Sequence, residues 1–127
     1  MEMETNVNVL IADDSSVMRK LVRRGLRQAG FDGHDFEEAE DGQQALDMLR
    51  AGGFDVALVD WNMPNMTGIE MLEQLRADGD AKTTVGFVTS ESTPPMRARA
   101  MTAGASFFVT KPFTPDSLQE ALGGVLD

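Results

Sequence analysis

Asp13 and Asp14 stand side by side behind the apolar run Val7–Ala12. Asp60 follows Phe54–Val59, Thr89 follows Val85–Val88, and Lys111 follows Ser106–Thr110. Each of these residues therefore comes directly after an apolar segment of strand length. Taken singly, each has an ordinary use: a helix cap, a turn former, a satisfied hydroxyl, a solvated ammonium. Their recurrence at the ends of different segments is what points to chemistry. Brought to one edge, they supply a carboxylate nucleophile, a seat for a divalent cation and donors to a transferring phosphoryl group. Two carboxylates about 4 Å apart repel by about 4 kcal/mol at an effective dielectric near 20. Three together raise a pKa or recruit a cation. The chain has no cysteine, and its one histidine, His34, lies away from these segment ends. The ligands are then hard oxygens, which suit Mg2+, Mn2+ or Ca2+.

Other phosphate-binding devices are missing from the sequence. It has no GxxxxGK[ST] loop, no GxGxxG behind the first strand and no GxSxG elbow. A phosphoryl group is therefore expected to be held covalently rather than cradled as part of a nucleotide.

The elements that must position these residues alternate. Strands are expected at Val7–Ala12, Phe36–Ala39, Phe54–Val59, Val85–Val88 and Ser106–Thr110. Helices are expected at Val17–Ala29, Gln43–Ala51, Ile69–Ala77, Met96–Ala103 with Pro94-Pro95 as its start, and Asp116–Leu126, the last capped by Thr114 or Asp116. Trp61–Thr67 carries Pro64 and reads as a loop, with Trp61 partly exposed on it. Strand–helix alternation implies parallel strands joined by helical crossovers, with helices on both sheet faces. In such a sheet, sites form outside the carboxyl ends of the strands.

At 127 residues a single domain, 1–127, is expected. Net charge is −10, from 11 Lys and Arg against 21 Asp and Glu, which disfavours nucleic acid and anionic membrane as partners. No apolar run approaches the roughly 20 residues of a membrane span. The acidic start MEMETNVNV is no secretory signal, so a cytoplasmic soluble domain is expected. A monomer is the expected state. Most of the nine methionines are expected to pack in the core or under loops.

The segments VLIADDSSVMRKLVRRGL, VALVDWNMPNMTGIEML, FVTSE and AGASFFVTKPFT resemble the receiver domain of response regulators, in its stand-alone CheY-type form. The resemblance runs from Val9 to Phe113. It implies a (βα)5, doubly wound, flavodoxin-like receiver fold and a place in a two-component phosphorelay. Asp60 matches the phosphoacceptor, charged by a sensor histidine kinase or a phosphotransfer protein. Asp14, Asp60 and the Asn62 carbonyl match the Mg2+ contacts, with Asp13 acting mainly through water. Lys111 matches the lysine that contacts the phosphoryl group, and Lys111–Pro112 the family's cis bond. Thr89 and Phe108 match the switch pair, with output through the fourth helix, the fifth strand and the fifth helix. Asn62 and Glu91 match the positions that tune autodephosphorylation; both are polar, so a short-lived phosphoryl group is expected.

Two departures stand out. Phe108 occupies a position where chemotaxis members carry Tyr, so apolar packing alone is expected to place its ring. Ser92-Thr93-Pro94-Pro95 replaces the lysines of motor-binding relatives. Both favour a phosphate sink or relay intermediate as the alternative to a flagellar-motor output. The stripe Arg19, Lys20, Arg23, Arg24, Arg27 reads as a solvated helix face and, by resemblance, as the kinase-docking face. A metal-dependent aspartyl-phosphate phosphohydrolase is the other class compatible with an Asp nucleophile behind a strand. Those enzymes usually carry a general-acid Asp where this chain has Asn62.

Overall fold

The computed structural model describes residues 7–31 and 33–126, the side chain of Leu126 aside. Strands β1 (Asn8–Ala12), β2 (Asp35–Ala39), β3 (Val56–Val59), β4 (Thr84–Thr89) and β5 (Phe107–Thr110) form one parallel sheet in the order β2-β1-β3-β4-β5. Between and after them run α1 (Ser16–Gln28), α2 (Gly42–Ala51), α3 (Gly68–Ala77), α4 (Pro94–Thr102) and α5 (Pro115–Leu126). This is the expected doubly wound architecture.

The sheet has a core on each face because its strands bury both sides, as parallel sheets require. Leu10, Ala12, Ala57, Val59, Val85 and Phe87 face α2, α3 and α4. Val9, Ile11, Val56, Leu58, Val88 and Val109 face α1 and α5, where Val22, Leu26, Leu118 and Leu122 cover them. Met63 and Met71 are buried and Met48, Met66 and Met96 pack against the core, whereas Met101 is exposed.

Caps decide where the helices begin. Ser15 accepts from Met18 N–H, Asp41 from Gln44 N–H and Thr93 from Met96 N–H. Thr67 and Glu70 form a full capping box on α3. Thr114, not Asp116, starts α5: its hydroxyl accepts from Ser117 N–H while Ser117 Oγ accepts from Thr114 N–H. The main difference from the expected bounds lies at β3. β3 starts at Val56 rather than Phe54, although Asp55 still exchanges backbone and side-chain hydrogen bonds with Asn8. Helix α4 starts at Pro94, as expected, because Pro94 and Pro95 fit its first turn.

Two glycines let the β3–α3 loop lie tight against the sheet edge. A Cβ on Gly68 would stand 2.2 Å from Asp60 O, and one on Gly42 1.9 Å from Met66 O. The Gly68 N–H donates to Trp61 O at 2.8 Å. This close return tucks the Trp61 side chain inward, and only 8% of it is exposed. The expectation of a partly exposed Trp61 is thereby corrected: its ring packs on Phe87 with centroids 5.1 Å apart.

Candidate functional site

Two neighbouring parallel strands, β1 and β3, deliver the acidic groups to one edge. Asp13 N–H donates to Ala39 O and Asp60 N–H to Ala12 O, extending the β1–β2 and β1–β3 ladders by one residue. Carboxylate oxygens of Asp13, Asp14 and Asp60 all lie within 4.8 Å of one another. Asp13 is buried, Asp60 is half-buried and Asp14 is exposed, so the cluster opens to solvent on one side. Asp13 Oδ1 accepts from Ser15 N–H at 2.9 Å, which ties the pair to the start of α1.

Lys111 arrives from β5, its N–H donating to Thr89 O at 2.8 Å. Its ammonium lies 2.8 Å from Asp13 Oδ2 and 3.5 Å from Asp60 Oδ2. The Lys111–Pro112 peptide is cis. Thr89 is fully buried. Asp60 is held above the usual carboxylate range. Burial is the first cause; Lys111 opposes it, Asp13 reinforces it, and hydrogen bonds from the Thr89 hydroxyl and the Trp61 N–H oppose it. The net result is a carboxylate kept short of hydration, which is a condition for nucleophilic use.

Asn62 is exposed at the mouth, where its Nδ2 donates to Glu91 Oε1 at 2.6 Å. The β3–α3 and β4–α4 loops are thus clasped across the opening. His34 lies at the opposite sheet edge, before β2, where its Nδ1 accepts from Val7 N–H. Among the described residues the cluster consists of three carboxylates with no histidine in it, a ligand set that suits a hard divalent cation such as Mg2+. That cation would neutralise phosphoryl oxygens, and Asp13, Asp14 and Asp60 are the side chains placed to hold it.

Residues 9–123 match the family described as response regulator receiver domain. The chain belongs to this receiver family. It is 41% identical over 123 residues to the chemotaxis protein CheY-3 of Vibrio cholerae, covering 96% of this chain and 93% of that protein. It is also 41% identical over 122 residues to the chemotaxis protein CheY of Pseudomonas aeruginosa, covering 95% and 97%. The solved structure of Vibrio cholerae CheY4 superposes with a TM-score of 0.82 at 35% identity, covering 96% of this chain and all of that one. A CheY-like receiver from Methanospirillum hungatei gives 0.84 at 26%, covering 97% and 95%. The receiver is thus a CheY-type module of two-component signalling, a phosphoacceptor switch that meets a histidine kinase or phosphotransfer partner. This membership sets aside the phosphohydrolase class. Among the described residues no helix is long and apolar enough to cross a membrane.

Two expectations about side chains change. Of the basic stripe on α1, Arg19 and Arg23 are committed to Glu38 of β2 at 2.7 and 2.9 Å, and Arg19 also donates to Asp13 O. Lys20, Arg24 and Arg27 remain exposed on the receiver surface. Apolar packing does not act alone on Phe108, because the Arg97 guanidinium lies 4.7 Å from its ring centroid. Sequence reasoning passed over Arg97 and the ring of Phe87. The signal for Phe87 was its place one residue before Val88 on a strand that pairs with β5, where Phe87 is the register partner of Phe108.

Proposed function

We propose that residues 1–127 act as a single cytoplasmic receiver whose Asp60 accepts a phosphoryl group from phosphohistidine. The carboxylate oxygen forms the new P–O bond as the P–N bond breaks, and the imidazole leaves. Asp13, Asp14, Asp60 and the Asn62 carbonyl hold Mg2+, Lys111 contacts the phosphoryl oxygens, and Thr89 moves toward them. Phe108 follows Thr89 and alters the face formed by α4, β5 and α5. The observation that carries this reading is the convergence of Asp13, Asp14 and Asp60 with the Lys111 ammonium. Incubation with a small phosphodonor and Mg2+, reduction of the acyl phosphate and peptide mapping should place the label on Asp60 alone. Label on another carboxylate, or label independent of Mg2+, would contradict it.

The kinase or phosphotransfer partner docks, in this reading, on α1. Support comes from a groove of about 310 Å³ whose lining includes Met18, Leu21, Arg24, Lys111 and Pro112. Exposed Lys20, Arg24 and Arg27 make this a cationic face on a chain of net charge −10.

Autodephosphorylation is the reverse exposure of the same site. Water attacks phosphorus, the P–O bond to Asp60 breaks, and inorganic phosphate leaves. In this reading Asn62 and Glu91, hydrogen-bonded to each other at the mouth, orient that water. Asn62→Ala or Glu91→Ala is expected to lengthen the phosphoryl half-life on the order of ten- to a hundredfold. Loss of label in Mg2+ buffer, followed after donor removal, measures it. Unchanged half-lives in both variants would remove these residues from the hydrolytic step.

A second reading, a phosphate sink or relay intermediate, is favoured by Ser92–Pro95 and Phe108 on the output face. In it, beryllofluoride loading creates no binding to a motor-switch segment, and phosphoryl groups pass only between the receiver and its kinase or phosphotransfer protein.

A further inference from the structure

Phe108 is half-buried, with different neighbours on its two sides. Inward, its ring lies 5.9 Å from Phe87 and 6.5 Å from Trp61, centroid to centroid. This cluster begins at the site itself, since the Trp61 N–H donates to Asp60 Oδ1 at 2.8 Å. Outward, Arg97 of α4 covers the ring at a distance where a cation is attracted to an aromatic face. Two hydroxyls aim its guanidinium: Nε donates to Ser92 Oγ at 2.7 Å and Nη2 to Thr110 Oγ1 at 3.2 Å. Arg99, two residues on, is paired with Glu73 at 2.9 Å. Arg97 is committed instead to a ring and two hydroxyls.

Building on the switch reading above, we propose that Arg97 is the positioning residue of Phe108. It holds the ring in its resting place and releases it when the β4–α4 loop moves. Phenylalanine has no polar atom by which the protein could hold the ring in a chosen orientation. A stacked guanidinium supplies that directional contact from outside. Ser92 links the latch to the site. It directly follows Glu91, which is clasped to Asn62, and lies three residues after Thr89. Movement of Thr89 toward a phosphoryl group displaces this short segment, and with it the Ser92 oxygen that aims Arg97. The guanidinium then leaves the ring face, and Phe108 is free to follow Thr89.

Three variants test this in the full chain. Arg97→Gln keeps most of the side-chain length and loses the cation. Arg97→Lys restores a cation, and Ser92→Ala keeps the arginine but removes its acceptor. Phe108 is followed by aromatic proton–carbon NMR, free and after loading with beryllofluoride and Mg2+. An exposed cation–ring contact shifts a two-state equilibrium about two- to fivefold. In free Arg97→Gln, the Phe108 signals should move toward their beryllofluoride positions by that ratio. Arg97→Lys should return them most of the way, and Ser92→Ala should fall between. Equal Phe108 signals in the parent and all three variants, with a normal beryllofluoride response, would overturn the latch and leave the switch reading intact. A Phe108 that ignores beryllofluoride in the parent would overturn the switch reading and the latch together. Should Arg97→Gln lose its folded amide dispersion, Ser92→Ala decides the matter by the same readout.

Discussion

Asp60→Asn is expected to accept no phosphoryl group and, without Mg2+, to fold more stably than the parent. The amide keeps the volume of the carboxylate and removes its charge from a half-buried place beside Asp13. The sign follows from Asp60 being held above its ordinary value of 3.8, with burial as the first cause. Below that value the folded and unfolded chains both carry the proton, and Asp60 brings no charge penalty. Between it and the raised folded value, only the folded chain keeps the proton, so the parent loses stability as pH rises through this window. Above the window the loss is complete and constant. Asp60→Asn does not titrate, so its advantage should be absent in acid, open across the window and level off at about 0.5–2 kcal/mol near neutrality. Losing the attraction of Lys111 at 3.5 Å reduces the gain without reversing it, since Lys111 keeps Asp13 at 2.8 Å. Urea denaturation at several pH values in a chelating buffer measures the difference. A variant no more stable than the parent at neutral pH would mean that Asp60 sits comfortably as an anion.

Lys111→Met should have the opposite effect on the apoprotein. The ammonium is nearly enclosed between Asp13 and Asp60, its side chain 12% exposed. Its removal leaves clustered carboxylates facing one another, at a cost of about 3 kcal/mol. A divalent cation can neutralise them, and no ammonium then competes with it. Mg2+ should therefore bind more tightly to Lys111→Met and restore more stability than it adds to the parent. Phosphoryl transfer should still fall about 10²- to 10³-fold, because a preorganised cation is missing from the transferring group. Thermal denaturation across a Mg2+ titration, together with labelling rates, separates the two effects. Equal Mg2+ affinity in parent and variant would place Lys111 away from the cation seat.

Much of the site was legible because its pattern is local. Asp13-Asp14, Asp60, Thr89 and Lys111 each follow an apolar run, and a parallel sheet has all its strand ends of one kind along one edge. Strand type and strand ends could thus be read from short windows of sequence, and convergence followed from the alternation of strands and helices. Trp61 was misread for a related reason: loop position suggests exposure, but the Cβ-free approach of Gly68 to Asp60 O folds the loop back and buries the ring.

What the sequence determined by itself is the alternation of elements, the residues at the strand ends and the family to which their motifs belong. The tertiary structure decided the pairings between those elements. Asn62 meets Glu91 across 29 positions, and Arg23 meets Glu38 across 15. Arg97 reaches Thr110 across 13 positions and covers Phe108, while Phe87 and Phe108 become neighbours only through the β4–β5 register. No periodicity marks such contacts, because they depend on strand order and on which helix covers which face. A side chain's type and its local element are written in nearby residues, whereas its partner is set by the packing of the whole sheet.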